Sequence, residues 1–358
     1  MTPGSAAPPD PRATDPGARV RVAIDAMGGE RMPRAAVEGA VAAHLEGHQV
    51  VLVGDEAALK LELSRVGIEL PVVHASDVIG MNEHATDVRR RRDSSVMVAM
   101  RLVKDGRAAA CVSMGHSGAT MAAAIFELGR VAGVDRAAIL AALPTAAGAT
   151  ALLDAGANAD CKPAYLQQFA VMGSAYVRSL WGVAEPKVGL MSNGEEPGKG
   201  NELTRAAHAL LAATPGLGFV GNVEGRDLFT GGVDVIVTDG FTGNVILKQA
   251  EGEAKAIFAW VKDALSSGPR ARLGGLLVRP ALRRLAKRLD PAEYGAQPLL
   301  GVRGYAFIGH GSADARAVTS AVRTAARAVA AGAVERLSAA MAELAQGALG
   351  RDDVTAPR

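Results

Sequence analysis

Short β-branched runs that end in a glycine-bearing turn and lead into a helical period recur along this chain, and that repetition limits the fold more than any other feature. Residues 233–248, VDVIVTDGFTGNVILK, show the unit most fully. An apolar run at 233–237 predicts a strand buried on both faces, Thr238-Asp239-Gly240 breaks it, and a helical pattern follows to about Lys262. Such a strand–turn–helix directs free backbone N–H groups at an anion. Similar strands are predicted at 20–25, 50–53, 71–74, 108–113, 139–143, 149–154 and 187–192, near Phe219, and at 299–302 and 305–309. Helices are predicted at 33–46, 56–65, 87–104, from the turn at 114–118 to Leu128, at 163–181 and 201–213, and from 310–312 to Leu349. The alternation implies an α/β fold, a mostly parallel sheet between two helical layers, with ligands beyond the C-terminal strand ends. Asp25, Gly115, Asn193, Asp239 and His310 fall at those ends.

The 358 residues suffice for a large core, and 49% are hydrophobic but only 4% aromatic, which with 42 glycines predicts Ala/Val/Leu packing. Residues 1–18 are rich in Pro, Gly and Ala and predict a disordered tail without a signal peptide; 350–358 form a second tail. Between them, 19–349 are expected to form a single large α/β/α domain. No uncharged run is long enough to span a bilayer, and 137–153 is broken by Pro144 and Gly148, so a cytosolic chain is expected. Cys111 and Cys161 lack any C-x-x-C pattern and predict buried thiols with no zinc site. His44, His48, His74, His84 and His208 are scattered singly and predict no metal site. The net charge of +2 argues against a global nucleic-acid-binding role.

The loop from Gly194 to Lys199 fails as a Walker A motif, with three residues between its glycines and Gly200 where a magnesium-binding hydroxyl would stand. It remains a simpler anion cradle, with Lys199 as the point charge and a capped helix as the plain structural alternative. Gly115-His116-Ser117-Gly118-Ala119 approximates a nucleophile elbow, and Asp239 and His310 follow in hydrolase order. The same Gly115 and Gly118 suit an anion on a helix N-terminus, with Ser117 as a cap. No G-x-G-x-x-G fingerprint follows a strand, so no dinucleotide is expected.

Residues 270–289, RARLGGLLVRPALRRLAKRL, carry seven cations and no acid, so the rest of the chain is net acidic. Leucines 273, 276, 277, 282, 285 and 289 recur at near-helical spacing, broken by Gly274-Gly275 and Pro280. A basic amphipathic hairpin over 266–290 is predicted, with Leu273, Leu276, Leu277 and Leu282 meeting an anionic membrane surface or covering a dimer partner. Arginines 89–92 form a second basic cluster, either a solvated helix face or a dock for an acidic partner.

In order, the chain contains Asp25-Ala-Met-Gly28-Gly29, Asp93-Ser-Ser95, Ser113-Met-Gly-His-Ser-Gly-Ala119 and Asp154-Ala-Gly-Ala-Asn158-Ala-Asp160-Cys161-Lys-Pro163. Gln168-Phe-Ala-Val-Met-Gly-Ser174, Asn193-Gly-Glu-Glu196, Gly198-Lys-Gly-Asn-Glu202 and Gly221-Asn-Val-Glu-Gly-Arg226 follow. Thr238-Asp-Gly-Phe-Thr-Gly-Asn244, Glu293-Tyr-Gly295 with Pro298-Leu-Leu-Gly301, and His310-Gly311 close the set. With these blocks, from about Arg19 to Ala330, the chain resembles the PlsX-type phosphate acyltransferases of bacterial phospholipid synthesis. It departs from them at Met114, His116, His84-Ala85 and Glu30. The resemblance implies transfer of a fatty acyl group from acyl carrier protein to inorganic phosphate, without cofactor. It also implies a homodimer with a fold similar to phosphotransacetylases and isocitrate-type dehydrogenases. The family's place is the inner membrane face, beside the membrane glycerol-3-phosphate acyltransferase.

Phosphate is already an oxyanion and a thiol of pKa about 8.5 leaves readily, so positioning and oxyanion donors are required rather than a covalent nucleophile. The expected phosphate and substrate contacts are Asp25, Gly28, Gly29, Gly115, Ser117, Gly118, Asn193, Gly194, Gly198, Asn201, Gly240, Thr242, Gly243 and Asn244. Lys199 and Lys248 are expected to assist, Asp239 to orient donors, and His310 or His116 to donate near the thioester. The competing readings are a serine hydrolase using Ser117 and a non-catalytic, membrane-bound binding protein.

Overall fold

A computed structural model describes residues 20–145, 148–289 and 295–352, so the tail expected at 1–18 and the Glu293-Tyr294 block lie outside the described residues. The first half builds β1 (Arg21–Asp25), α1 (Arg34–Leu45), β2 (Gln49–Gly54), α2 (Glu56–Val66), β3 (Val72–His74), α3 (Ser95–Lys104), β4 (Ala110–Ser113) and α4 (Ser117–Glu127). Three strands follow, β5 (Ala138–Ile139), β6 (Ala141–Thr145) and β7 (Gly148–Leu153). The second half adds α5 (Pro163–Trp181), β8 (Lys187–Met191), α6 (Glu202–Ala212), β9 (Gly218–Val223), β10 (Val235–Val237), α7 (Gly240–Ser266) and α8 (Pro269–Leu289). It closes with β11 (Gln297–Leu300), β12 (Tyr305–Ile308), α9 (Ala315–Ala330) and α10 (Ala333–Asp352), the last helix passing the expected end at 349.

The strands form two sheets, one ordered β3-β2-β1-β4-β12-β11-β5 and one ordered β6-β7-β10-β8-β9. Parallel pairing links β3 through β12 in the first and β7 through β9 in the second, while β11 pairs antiparallel with β12 and β5, and β6 with β7. Alternation along the central strands divides the core. Val22, Ile24, Val50 and Leu52 pack with Val37 of α1 and Val318 of α9, whereas Ala23, Val51 and Cys111 pack with Met97 of α3 and Ala123 of α4. Helices therefore cover both faces of the sheet, which keeps parallel strands dry.

The scarcity of large aromatics has a packing counterpart. A Cβ placed on Gly39 of α1 would stand 2.5 Å from the Val318 Cβ and 2.6 Å from the Ala315 carbonyl oxygen, so these helices touch almost backbone to backbone. At Gly173 of α5 the added atom would meet Val235 of β10 at 2.8 Å. Small residues at such contacts set the spacing of the layers.

Two local expectations change. The helix expected over 87–104 begins only at Ser95, because 85–89 form a 3₁₀ turn and Ser94 is extended at φ −67°, ψ 146°. Arg91 is drawn aside to Asp77, and the Ser95 N–H donates to the Asp77 carbonyl, which re-aims the chain before α3 starts. The basic segment is not itself a hairpin. Its residues form one helix, α8, with Pro280 inside it, and the hairpin is made by α7 against α8. Gly275 lets the two helices close, since a Cβ there would meet the Leu265 Cβ at 3.3 Å. Pro280 removes one helical N–H on an exposed stretch where water can satisfy the freed carbonyl.

Candidate active site

Three strand-end loops of the larger sheet are tied together by backbone and one carboxylate. Asp25 closes β1 and is 2% exposed. Its Oδ1 accepts from the Gly28 N–H at 3.2 Å and the Met27 N–H at 3.3 Å, and its Oδ2 accepts from Ser113 Oγ at 2.7 Å. The Ser113 oxygen in turn accepts from the Gly115 N–H and the Thr120 hydroxyl, both at 3.2 Å. Gly28 permits the approach, because a Cβ there would lie 2.7 Å from Asp25 Oδ2 and 2.9 Å from Gly115 Cα. Gly29, at φ +118°, takes a conformation that favours glycine and faces the carbonyls of Met114 and Gly311. The Glu30 N–H donates to the Gly311 carbonyl at 2.8 Å, which fastens the loop after β12 to the one after β1. Asp25 thus organises a loop; the glycines it holds are the ones expected at the site.

His116 caps α4, with Nδ1 accepting from the Ala119 N–H at 3.2 Å. With Nδ1 engaged as an acceptor, Nε2 is the ring nitrogen left to donate. The Ser117 and Gly118 N–H groups of the same first turn lack intrahelical partners by the geometry of a helix start. Together they form a compact donor set at the N-terminal end of α4.

The smaller sheet supplies a matching wall. Asp154, fully buried at the end of β7, accepts from the N–H groups of Ile139, Gly156, Ala157 and Asn158 and from the Asn158 amide, at 2.7–3.1 Å. Burial pushes its carboxyl up, against the pull of these donors. Asp239 caps α7, accepting from the Thr242 N–H and hydroxyl, both at 2.8 Å, and the Gly240 N–H donates to the Asn158 carbonyl at 2.7 Å. Gly243 faces the Asp154 carbonyl oxygen, only 1.9 Å from where a Cβ would stand. Asn244 and Lys248 lie farther along α7, and Lys248 pairs with Glu251 at 3.0 Å.

The two walls open onto one cleft of about 2050 Å³, lined by Gly115, Ser117 and His310 from one side and Gly156, Asn244 and Lys248 from the other. His310 Nδ1 engages the Ser312 hydroxyl at 2.8 Å. Its walls also carry Leu140, Leu143, Leu247 and Phe258. The loop after β8 stands apart. Asn193, Gly194, Gly198, Lys199 and Asn201 are not among the described residues that line the cleft; Asp25, Gly28, Gly29, His116, Gly118, Asp239, Gly240, Thr242 and Gly243 are not lining residues either, but belong to the loops and helix starts that carry Gly115, Ser117 and Asn244. Asn193 Oδ1 accepts from the Gly200 N–H at 2.9 Å, Asn201 caps α6 through Thr204, and Lys199 is exposed and folds back on Gly194.

The hydrolase geometry is missing. Ser117 has no hydrogen bond to His310 among the described residues, and both Asp239 oxygens are taken by Thr242. Neither cysteine is a ready nucleophile: burial pushes the Cys161 thiol up to about 12 and that of Cys111 well above the usual range. Among the described residues no group of three or more His, Cys, Asp or Glu side chains is arranged to hold a metal, and no helix is long and apolar enough to cross a membrane. Three residues that carry this geometry were not singled out as site residues from sequence: Ser113, Thr120 and Asp154. Asp154 ends a strand, as Asp25 and Asp239 do, and that position was the available signal.

Residues 20–336 match the family model described as fatty acid synthesis protein. A phosphate acyltransferase from Thermus thermophilus is 58% identical over 318 residues, covering 89% of this chain and 97% of the relative. The chain belongs to the phosphate acyltransferase family. It is an acyltransferase, and neither the serine-hydrolase nor the non-catalytic reading is supported. The fold is shared with more distant proteins. A phosphotransacetylase from Streptococcus pyogenes superposes with a TM-score of 0.58 at 16% identity, over 89% of this chain and 95% of that one. A 4-hydroxythreonine-4-phosphate dehydrogenase from Klebsiella pneumoniae gives 0.53 at 12% identity, over 87% and 100%. These carry the α/β fold and nothing finer.

Proposed function

We propose that this enzyme moves a fatty acyl group from the thioester of acyl carrier protein to inorganic phosphate, releasing acyl phosphate and the carrier's thiol. A phosphate oxygen adds to the thioester carbonyl, the carbon–sulfur bond breaks, and the sulfur leaves as a thiolate that is protonated from water. The observation that carries this reading is the opposition, across one cleft, of the α4 donor turn and the first turns of α7. The Ser117 N–H, on the cleft lining, suits the oxyanion of the tetrahedral intermediate, with the Gly118 N–H and His116 Nε2–H in the same turn but outside the described lining. Asn244 and Lys248 suit the phosphate, with Asp239, Gly240, Thr242 and Gly243 fixing the start of α7. The apolar wall at Leu140, Leu143 and Phe258 suits an alkyl chain. Asp25, Gly28, Gly29 and Gly115 hold the donor turn in place, and His310 stands beside it as the second donor. Asn193, Gly194, Gly198, Lys199 and Asn201 form a separate anion cradle outside this cleft. Residues 19–349 act as a single catalytic unit.

The same reading includes a homodimer working at the cytoplasmic face of an anionic membrane, beside a glycerol-3-phosphate acyltransferase that consumes the product. Its support is the α7–α8 hairpin, where Leu273, Leu276 and Leu277 are 63%, 63% and 77% exposed among arginines, with Leu282 half-buried. Contiguous exposed leucine beside cation fits a lipid surface. Incubating acyl carrier protein thioester with and without phosphate tests the reaction: thiol release should require phosphate. Equal release without phosphate would indicate a hydrolase instead.

A further inference from the structure

Of the four consecutive arginines at 89–92, one is turned inward and three outward. Arg91 is the staple. Its Nε donates to Asp77 Oδ2 at 2.6 Å and its terminal nitrogens to Glu83 at 2.7 Å and the Val78 carbonyl at 2.8 Å. That network pins the segment between Asp77 and Ser94 and leaves Arg89, Arg90 and Arg92 exposed. No described carboxylate forms an ion pair with these three, although Asp87 and Asp93 lie close in sequence. Arg92 lies over the Phe126 ring at 5.6 Å, and Phe126 is itself 43% exposed. Arg101 and Lys104 extend the basic surface, sharing a single buried partner, Glu127.

This surface adjoins the rim of the cleft. Ala85, at the start of the 3₁₀ turn, would meet a Cβ on Gly118 at 3.0 Å, and Met81 would meet one on Gly311 at 2.8 Å. Met81 also lines the cleft. The turn from Ala85 to Arg89 rises about 2 Å per residue, so the first arginine stands roughly 8 Å along it from the α4 donor turn. Three cations without a described carboxylate partner, one of them stacked on an exposed aromatic, at the mouth of a cleft proposed to take a thioester, fit a partner with an acidic surface that delivers the thioester on a flexible arm.

We infer that Arg89, Arg90 and Arg92, with Phe126 beneath Arg92, are the docking surface for an acidic acyl carrier protein. The inference rests on the proposed use of a carrier-borne thioester. Cations at such a rim steer encounter and set orientation, so their effect falls on carrier capture and weakens with salt. The test compares R89E/R90E with the unaltered enzyme on two donors, acyl carrier protein thioester and the small acyl-pantetheine thioester, at low and high ionic strength. The ratio of kcat/KM for the carrier to that for the small thioester should fall roughly tenfold at low salt, with the gap closing at high salt. R89Q/R90Q, which removes charge without reversing it, should fall between the two. R279E/R284E, which alters the other basic surface on α8, should leave the ratio unchanged.

An unaltered ratio in R89E/R90E, alongside normal carrier turnover by the parent enzyme, would overturn the docking assignment alone. A ratio lowered only by R279E/R284E would move docking to α8. Loss of anionic vesicle binding by R89E/R90E with the ratio intact would make the cluster a membrane contact instead. Failure of the parent enzyme to use the carrier thioester at all would refute the underlying reaction rather than the surface.

Discussion

Two glycines of the same helix, α7, should respond oppositely to the same substitution. At Gly243 an alanine Cβ would stand 1.9 Å from the Asp154 carbonyl oxygen, a backbone atom that cannot swing away as a side chain does. Ordinary contact needs about 3.4 Å, so the helix start must retreat by roughly 1.5 Å, and overpacking of this kind costs about 1–3 kcal/mol. Retreat also strains the Gly240 N–H to Asn158 bond of 2.7 Å, so the upper part of that range is expected. At Gly252, exposed in the body of α7, an added Cβ meets nothing within 4 Å. There Gly→Ala should stabilise by about 0.5–1 kcal/mol through helix propensity alone. Urea denaturation of G243A and G252A measures both signs in one experiment. Turnover adds a second readout. Displacing Asn244 and Lys248 by more than 1 Å should lower phosphate-dependent activity on the order of 100-fold in G243A, and leave G252A near the parent. If G243A is as stable and as active as G252A, the close seating of α7 on the Asp154–Asn158 loop, and its role in holding the phosphate wall, are wrong.

Ser113→Ala should cost about 1–3 kcal/mol in denaturation experiments, because Asp25, buried beneath the glycine loops, loses its 2.7 Å hydroxyl donor. His116→Ala should lose about 1 kcal/mol with the cap on Ala119, together with most turnover, whereas His116→Asn, whose Oδ1 takes the place of Nδ1, should restore the stability but not the Nε2 donor. The Arg91 guanidinium holds the Asp77 carboxyl below its usual range, so the unfolded chain binds the extra proton first. The pair's stabilisation is then present above about pH 3.9 and lost as pH falls through the folded value, and acid unfolding of R91Q should lack that component.

Much of this architecture can be read from residue order because its strands are short, β-branched and closed by Asp or Gly. The helix from Pro163 to Trp181 starts and ends where Pro163 and Gly182 place it, and Asp25 and Asp239 sit at strand ends as expected. The division into two sheets was not legible. It depends on which edge strands pair, as when Leu299 of β11 meets Ile139 of β5 across some 160 residues. Pattern within a segment says nothing about such partners. Arginines 89–92 look helical in isolation; the ion pair to Asp77, fourteen residues away, turns one inward and delays the helix. Gly274-Gly275 and Pro280 suggest a break, yet α8 is a single helix, and at Gly275 it lies close against Leu265 of α7. At the site, glycine positions were readable because close backbone approach admits little else. The buried partners Ser113 and Asp154 were not, since a serine or aspartate after a strand has many local uses. Lys199 drew attention by charge and loop chemistry, but only the fold shows its loop outside the cleft that Lys248 lines.

The most direct measurement follows the phosphorus. Acyl carrier protein thioester, radiolabelled inorganic phosphate and enzyme are incubated, and the products are separated with and without hydroxylamine. The reaction proposed here predicts label in a lipophilic acyl phosphate that hydroxylamine converts to hydroxamate and free phosphate, in step with thiol release. Thiol release with all label remaining as inorganic phosphate, and free fatty acid as the acyl product before any hydroxylamine is added, would contradict it.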